Sequence, residues 1–280
     1  MKTVIVTDST AYLTEKQREQ YHIQMIPLNV IFGMEVYEEE INLSTEDFYE
    51  MVKESELPTT SQPSVGQFVQ LFEQLSEEYD EIISIHLSSG ISGTYQGAFT
   101  AASMVEEKVK VYPFDSEISC MMQGFYVLEA AKMAQEGKNA KEILPRLEEM
   151  KKSVQAYFIV DDLSHLQRGG RLNAASALIG GLLQLKPILC VENKKIIPFE
   201  KVRTKKKALK RVEELLEESV QPNAKYLATV IHANREEEAK EWIDELSKKY
   251  PDVEFSISYF GPVIGTHLGE GSIGLGWYKL

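Results

Sequence analysis

The sequence predicts an α/β protein of two domains: an N-terminal parallel-sheet α/β domain over residues 1–150 and a C-terminal mixed-sheet α/β (α+β) domain over residues 151–280. The first half alternates strand-like and helix-like segments, which is typical of a parallel sheet covered by helices on both faces. The second half has fewer such units and one hairpin-like pair of segments. A length of 280 residues also favours one large or two modest domains.

The elements of the first half follow from the spacing of apolar residues. Apolar residues recur at helical spacing in the segment Val65–Tyr79, namely at Phe68, Leu71, Phe72 and Leu75. Strands are predicted at Thr3–Thr7, Met25–Phe32, Glu81–Leu87 and Val109–Phe114. Further helices are predicted from a capping box near Ser44, over Ser92–Glu106 and over Ser119–Gln135. After the turn-like residues 136–139, the segment Leu144–Met150 ends the domain.

The second half also contains strands and helices, but with fewer regular strand–helix alternations than the first. Strands are predicted at Ala156–Val160, Pro187–Val191, Lys194–Phe199, Leu227–His232 and Val253–Ser258. Helices are predicted at Thr204–Ser219 and Asn234–Lys248. The second and third of these strands are close enough to pair as a hairpin across Glu192 and Asn193, which favours a mixed sheet.

Composition and charge restrict the classes of partner and the compartment. Hydrophobic residues make up 43% of the chain, enough for a substantial core. A net charge of −13 argues against nucleic acid and leaves at most transient contact with an anionic membrane. The first strand begins too early for a signal peptide, and no apolar run approaches the roughly 18 residues of a membrane span. We therefore expect a cytoplasmic protein in which Cys120 and Cys190 are buried, reduced thiols.

Polar clusters follow several of the predicted strands, at residues 7–10, 88–94 and 115–116. In a parallel sheet the carboxyl ends of the strands meet at one edge, where ligands bind at a switch in strand order. The loop 59–64 precedes a helix and is expected to join this edge. Serine and threonine residues before a helix are often only N-caps, but three such clusters on one edge favour a site.

Residues 88–98, SSGISGTYQGA, are the sharpest of these clusters. The stretch lacks the Gly-Lys-Ser/Thr ending of a nucleotide phosphate loop and the G-x-S-x-G spacing of a nucleophile elbow. Backbone N–H groups at a helix start carry a positive partial charge, and neighbouring hydroxyls add donors. The stretch therefore predicts a site for a carboxylate or a phosphate.

Two further motifs contain residues that suit an anion. Residues 261–271 form a glycine-rich turn that contains His267, which is either structural or a donor to an anion. The sequence Gly169-Gly170-Arg171 adds a guanidinium group, which suits carboxylate and phosphate oxygens. Arg171 could equally pair with Asp161 or Asp162.

An uncharged stretch and a basic stretch each allow two interpretations. Residues 174–183 are small and apolar, and they form either a buried core helix or the wall of a space for a long apolar ligand, with Met121 and Met122 as flexible lining. Six basic residues near the start of one helix form either a solvated face or a docking surface for an acidic partner. They are Arg203, Lys205, Lys206, Lys207, Lys210 and Arg211.

Six motifs in the same order, TDST, TSQPS, SSGISGTYQGA, Asp115-Ser116, GGR and GPVIGTHLGEG, resemble the DegV family over essentially the whole chain. Members of that family include the fatty-acid-binding subunits of bacterial fatty acid kinase, which serve phospholipid metabolism. The resemblance implies a long-chain fatty acid as ligand, its carboxylate near the domain interface and its acyl chain buried in the second domain. It implies no cofactor, no metal and no catalytic residue in this chain, because phosphoryl transfer belongs to a partner, the kinase catalytic subunit.

The resemblance also assigns individual residues. The carboxylate-binding residues are Thr60, Ser92 and His267, and Ser61, Gly93, Thr94 and Gly265 are expected to support them. Arg171 is expected either near the head group in support of the same site or on a partner surface. The residues expected to line the acyl chain are Ile91, Met121, Met122, Ala177, Leu178, Gly181 and Leu182. This chain departs from the family pattern in two places: Gly269-Glu270-Gly271 stands where the family usually has GPG, and Cys120, Met121 and Met122 stand where it usually has small residues.

Two other functions remain open from the sequence. A serine hydrolase or acyltransferase would use Ser92 and His267 with Asp115 or Asp8 as a triad. A small-molecule sensor would need an output module, which the chain does not show.

Overall fold

The structure is a computed structural model that describes residues 2–54, 57–172 and 186–280. Its strands are β1 (Thr3–Asp8), β2 (Gln24–Ile26), β3 (Asn29–Phe32), β4 (Glu35–Glu38), β5 (Thr59–Ser61), β6 (Glu81–His86), β7 (Lys110–Asp115), β8 (Gln155–Ile159), β9 (Ile188–Glu192), β10 (Lys195–Glu200), β11 (Tyr226–His232), β12 (Val253–Tyr259) and β13 (Ile273–Lys279). Its helices are α1 (Glu15–Gln20), α2 (Thr45–Glu54), α3 (Val65–Leu75), α4 (Thr94–Met104), α5 (Cys120–Gln135), α6 (Ala140–Lys151), α7 (Ser164–Arg168), α8 (Lys205–Ser219), α9 (Glu236–Lys249) and α10 (Pro262–Leu268).

The N-terminal region contains a parallel sheet in the order β2-β1-β6-β7. Alternate residues of β1 face opposite sides, since Val4 and Val6 pack in one core cluster with α3 and α4, whereas Ile5 packs in another with α5. The order reverses between β1 and β6, which makes the ends of these two strands a switch point. The predicted parallel-sheet α/β region is confirmed.

A small antiparallel sheet, in the order β4-β3-β5, was not predicted. The prediction of one strand over Met25–Phe32 is wrong, because β2 and β3 are separate strands in different sheets. Pro27 lies between them and has no N–H group to continue a ladder. The prediction of a loop over residues 59–64 is also wrong in part, since Thr59–Ser61 is strand β5 and carries Thr60 beside β3.

The C-terminal region contains a six-stranded mixed sheet in the order β10-β9-β8-β13-β11-β12. Strands β11 and β12 are parallel, whereas the other neighbouring pairs are antiparallel. The predicted hairpin is confirmed as β9–β10, and its turn places Asn193 and Lys194 at φ values of +49° and +69°. One face of this sheet packs against α8 and α9, where Trp277 and Trp242 belong to one buried cluster. The predicted mixed-sheet region is therefore confirmed.

The tip of the β9–β10 hairpin joins the two regions beside the carboxyl ends of β6 and β7. The hydroxyl of Ser88 donates to the carbonyl oxygen of Lys194 over 2.7 Å, and the ammonium group of Lys194 lies 2.9 Å from the Asp115 carboxylate. A Cβ atom added to Gly90 would overlap the Lys194 carbonyl group. The hairpin therefore packs closely against the loop that follows β6 and against the end of β7.

The structure bears on the cysteines and the membrane span, and leaves two smaller expectations as predictions. Cys120 and Cys190 are free and buried, as predicted. Among the described helices, none combines the length and the apolar character that crossing a bilayer requires. In the basic stretch, Lys205 pairs with Glu238 and Arg211 with Glu200, and its role as a docking surface stays a prediction. The domain boundary near residue 150 also stays a prediction; α6 ends at Lys151.

The contact at Gly90 should matter for stability. We expect Gly90→Ala to lower the free energy of unfolding by about 1–3 kcal/mol, because the new methyl group would push the hairpin backbone away. Gly66→Ala in α3 is the matched control, since its Cβ would meet nothing closer than 3.9 Å and helix propensity favours alanine. Urea unfolding of both variants tests this, and equal stability of the two would contradict the close approach.

Candidate ligand-binding site

A cavity of about 290 Å³ lies between the N-terminal region and the inner face of the mixed sheet. Thr60, Ser92, Arg171 and His267 border it at one end. The remaining wall is mostly apolar and includes Leu28, Leu87, Met122, Phe158, Ile196 and Phe260. A cavity of this kind suits an elongated ligand with a polar end and an apolar body.

Helix α10 positions His267, and the prediction of a glycine-rich turn at this place is wrong. Pro262 occupies the first turn, where its missing N–H group is no disadvantage. Gly269 follows the helix at a φ of +78°, a conformation that glycine adopts easily. Gly261, Pro262 and Gly269 therefore mark the ends of a short buried helix, and Gly265 lies inside it.

The start of α10 is held by Glu39, a fully buried residue that the sequence analysis missed. One Glu39 oxygen accepts the backbone N–H of Val263 over 2.7 Å and the Tyr12 hydroxyl over 3.1 Å. The other oxygen accepts the Ser9 hydroxyl over 2.5 Å. Burial raises the pKa of Glu39 to about 8, although these hydrogen bonds act in the opposite direction. Because Glu39 stands between two other glutamates, at 38 and 40, nothing in the sequence distinguishes it from an exposed acidic residue.

His267 meets Thr60 across the interface of the two regions. Its Nε2 atom lies 2.8 Å from the Thr60 hydroxyl, which strand β5 supplies. Burial lowers the pKa of His267 to about 3, and the positive charges of Arg171 and Arg168 act in the same direction. The ring is therefore neutral at pH 7 and has one N–H group. Its Nδ1 atom is buried against Gly169 and has no partner in the described part of the chain.

Ser92 lies just before helix α4, which begins at Thr94 with Gly93 as its N-cap. The Ser92 hydroxyl accepts the backbone N–H of Thr94 over 3.3 Å and is 2.8 Å from the Thr94 hydroxyl. A Cβ atom on Gly93 would overlap the side chain of Gln62, so glycine allows the segment after β5 to approach α4. This close approach brings Ser92 and Thr60 to the same end of the cavity.

Arg171 borders the same end of the cavity and is anchored by backbone carbonyl groups. Its Nε donates to Ile91 over 3.2 Å, and an Nη donates to Gly169 over 2.5 Å. Arg171 does not pair with Asp161 or Asp162. The Asp161 carboxylate pairs with Lys186, and the Asp162 carboxylate accepts the backbone N–H and the hydroxyl of Ser164. A guanidinium group has five N–H donors, and these two bonds are the ones that Arg171 makes within the described part of the chain.

The other predicted site residues fall into three groups. Ser61, Gly93, Ile91 and Met122 border the cavity. Met121, Thr94 and Gly265 are described residues that do not border the cavity. A Cβ atom on Gly265 would lie 2.7 Å from the Tyr49 hydroxyl, on the side of α2. Ala177, Leu178, Gly181 and Leu182 lie outside the described residues.

Strand β13 forms part of the cavity wall, and the sequence analysis missed it. Gly274 and Gly276 point to the same side of the sheet, and both border the cavity. A Cβ atom on Gly276 would overlap the thioether of Met122, so glycine leaves room for α5 and for the cavity. The alternation of glycine with Ile273, Leu275 and Trp277 is a period-two signal that could have revealed the strand.

A hydrolytic triad is not assembled among the described residues. Asp115 binds Ser89 and Lys194, Asp8 binds His86, and neither contacts His267. Ser84, His86 and Asp8 do form a hydrogen-bonded chain, with distances of 2.6 and 3.0 Å, but all three are fully buried. This chain ties β1 to β6 and cannot meet a substrate. A neutral His267 with a lowered pKa would also be a weak general base.

Known proteins with the same architecture identify the family. The family model described as "Uncharacterised protein, DegV family" matches residues 2–280. The chain belongs to the DegV family. Protein DegV of Bacillus subtilis is 60% identical over 279 residues, which is 99% of each chain. The predicted family resemblance is confirmed.

Solved structures of DegV proteins have the same fold. The crystal structure of DegV from Bacillus subtilis, described as a fatty acid binding protein, has a TM-score of 0.95 and 58% identity over the whole of both chains. A DegV family protein from Thermus thermophilus, described by its fatty acid binding, has a TM-score of 0.93 and 29% identity, again over both whole chains. The predicted fold class is confirmed by these matches.

The charge state of His267 can be tested directly. In the delipidated protein, the imidazole signals of His267 should stay constant from about pH 8 to about pH 4, because burial disfavours the imidazolium ion. An NMR titration measures this, with the spectrum of His267→Asn assigning the signals. A midpoint near the ordinary histidine value of about 6.5 would contradict the buried, neutral ring.

Proposed function

We propose that this protein binds a long-chain fatty acid, with the carboxylate at Thr60, Ser92 and His267 and the acyl chain in the apolar cavity. The observation that carries the proposal is the cavity itself, which has hydroxyl, imidazole and guanidinium groups at one end and apolar walls elsewhere. The fatty acid binding described for the DegV proteins of Bacillus subtilis and Thermus thermophilus supports the same ligand class.

The acyl chain supplies most of the affinity in this proposal. Burying a C16 chain contributes roughly 12 kcal/mol before ordering costs, at about 0.8 kcal/mol per CH₂. Hydrogen bonds to a carboxylate contribute about 1.5–3 kcal/mol each. Burial, together with the positive charge of Arg171, lowers the pKa of His267 and keeps its ring neutral, so the anion is matched by Arg171 rather than by an imidazolium ion.

We further propose that the protein presents the carboxylate to the catalytic subunit of a fatty acid kinase in the cytoplasm, upstream of phospholipid synthesis. At the carboxylate end Thr60, Ser92 and Arg171 are partly exposed and His267 is buried, whereas Leu87, Met122 and Phe158 of the apolar wall are buried. A separate enzyme could therefore reach the carboxylate while the tail stays out of water. The protein then acts as a lipid-binding subunit and not as the enzyme.

The head-group assignment predicts the behaviour of two hydroxyl variants. Thr60→Ala and Ser92→Ala should each weaken palmitate binding by about tenfold or more, since each removes a hydrogen-bonding group. Thr100→Ala, an exposed threonine on α4 that does not border the cavity, is the control. Binding is measured by competition, after mass spectrometry has identified the lipid that solvent extracts from the purified protein. Wild-type affinity in both variants would overturn the assignment.

A further inference from the structure

The β9–β10 hairpin forms part of the wall of the cavity of about 290 Å³, called here the ligand cavity. Val191 on β9 and Ile196 on β10 pair with each other, and both border this cavity. In the described part of the chain, β8 pairs with β9 only as far as Cys190, and β10 lies at the edge of the sheet. Beyond Cys190 the hairpin has one further described bridge, from Ile196 to Leu172. Two strands that pair mainly with each other are marginal in water, so this end needs other contacts to stay in place.

The tip of the hairpin, at Asn193 and Lys194, is held by polar contacts to the N-terminal region. The Ser88 hydroxyl donates to the carbonyl oxygen of Lys194 over 2.7 Å. The ammonium group of Lys194 lies 2.9 Å from Asp115 and 3.7 Å from Glu117. Because the Lys194 side chain is 42% exposed, water and salt reach these ion pairs and weaken them. The tip is therefore held by contacts that can separate and form again.

The loop that receives the tip also borders the ligand cavity. Leu87 precedes Ser88 in the chain, Ile91 follows Gly90, and both Leu87 and Ile91 line the cavity. Ser88 and Gly90 contact the tip instead. A seam between two walls of the cavity therefore lies where the tip meets this loop.

The contacts between the two regions at α10 are of a different kind. Glu39 accepts the backbone N–H of Val263, and the Tyr49 hydroxyl donates to the carbonyl oxygen of Phe260, both over 2.7 Å. These four residues are buried. Breaking their hydrogen bonds would leave polar groups unpaired inside the core, whereas water can solvate the groups at the tip as they separate. Opening therefore requires less free energy at the tip than at α10.

The route of an apolar chain into the ligand cavity also favours the seam. A fatty acid that entered at the polar end would have to pass its whole chain between Thr60, Ser92 and Arg171, which border that end. Lifting of the tip would separate Val191 and Ile196 from the loop after β6 and would admit the chain from the side.

We propose that the tip of the β9–β10 hairpin is a latch on the ligand cavity: it lifts to let an acyl chain enter or leave, and Lys194 holds it closed at other times. This inference rests on the proposed fatty acid binding and adds the route by which the ligand exchanges. The contacts of Lys194 with Ser88 and Asp115 are made without the ligand, so the latch favours the closed state equally in the free and the bound protein. It therefore sets the rates of entry and release and leaves the affinity unchanged.

The experiment measures entry and release of cis-parinarate, a fluorescent long-chain fatty acid, in the delipidated wild-type protein and in Lys194→Met. Methionine keeps most of the side-chain length and removes the charge. Both rate constants should rise by the same factor, about two- to fivefold, and the dissociation constant should stay within about twofold of the wild type. Adding Ser88→Ala to Lys194→Met should raise both rates further, to about tenfold or more above the wild type. Entry is followed on mixing, and release is followed by trapping the ligand with albumin.

Lys108→Met is the matched control. Lys108 pairs with Glu73 at 2.6 Å inside the N-terminal region and borders neither the ligand cavity nor the hairpin. Its rates should equal those of the wild type. Ionic strength gives a second readout: raising salt from about 0.05 M to about 0.5 M should reduce the difference in rate between the wild type and Lys194→Met, because salt screens the ion pair that the variant lacks.

The outcomes separate the latch from the binding function. Wild-type rates in both Lys194→Met and the double variant would overturn the latch while leaving fatty acid binding intact. Faster release with unchanged entry, and hence a weaker affinity, would also overturn it, because the tip would then stabilise the bound state rather than oppose opening. A wild-type protein that bound no cis-parinarate would contradict the proposed function itself.

Discussion

The site depends on the hydrogen bonds that the buried carboxyl group of Glu39 accepts. It accepts hydrogen bonds from Ser9, Tyr12 and the backbone of Val263, which lies 224 residues after Glu39, and so joins the segment after β1 to the start of α10. Helix α10 is short and could not hold its position by propensity alone. Because Glu39 anchors its first turn, His267 at its last turn reaches Thr60. A polar interaction inside the core thus fixes the geometry of a binding site elsewhere.

The second constraint is the contact between the two regions beside the ends of β6 and β7. An open parallel sheet ordinarily binds a ligand at the carboxyl ends of its strands. Here the hairpin tip at Lys194 bonds to Ser88 after β6 and to Asp115 at the end of β7. The cavity lies between the loops of the N-terminal region, including Leu87 and Ser92 after β6, and the inner face of the mixed sheet. A polar end and an apolar body of one ligand can therefore contact different regions of the protein.

Much of the fold is predictable from the amino-acid sequence, because helix and strand periodicities are local signals. The parallel strands, the helix over Val65–Tyr79 and the β9–β10 hairpin were all predictable from apolar spacing and turn residues. The antiparallel sheet of β3, β4 and β5 was missed, because short strands have too few residues to show a period. The sequence predicts a turn in place of helix α10, because glycine and proline mark the ends of the helix and tertiary burial stabilises its interior.

The sequence by itself determined the family, the fold class and the residue types able to hold an anion, since motifs and periodicity are properties of short segments. Only the tertiary structure decided that Thr60 and His267 meet, that Arg171 is anchored to Ile91 and Gly169, and that Ser92 forms no triad with the described residues. It also decided the shape of the cavity, to which Gly276 contributes by the absence of a side chain. Such contacts depend on how distant elements pack, and no local pattern encodes the packing.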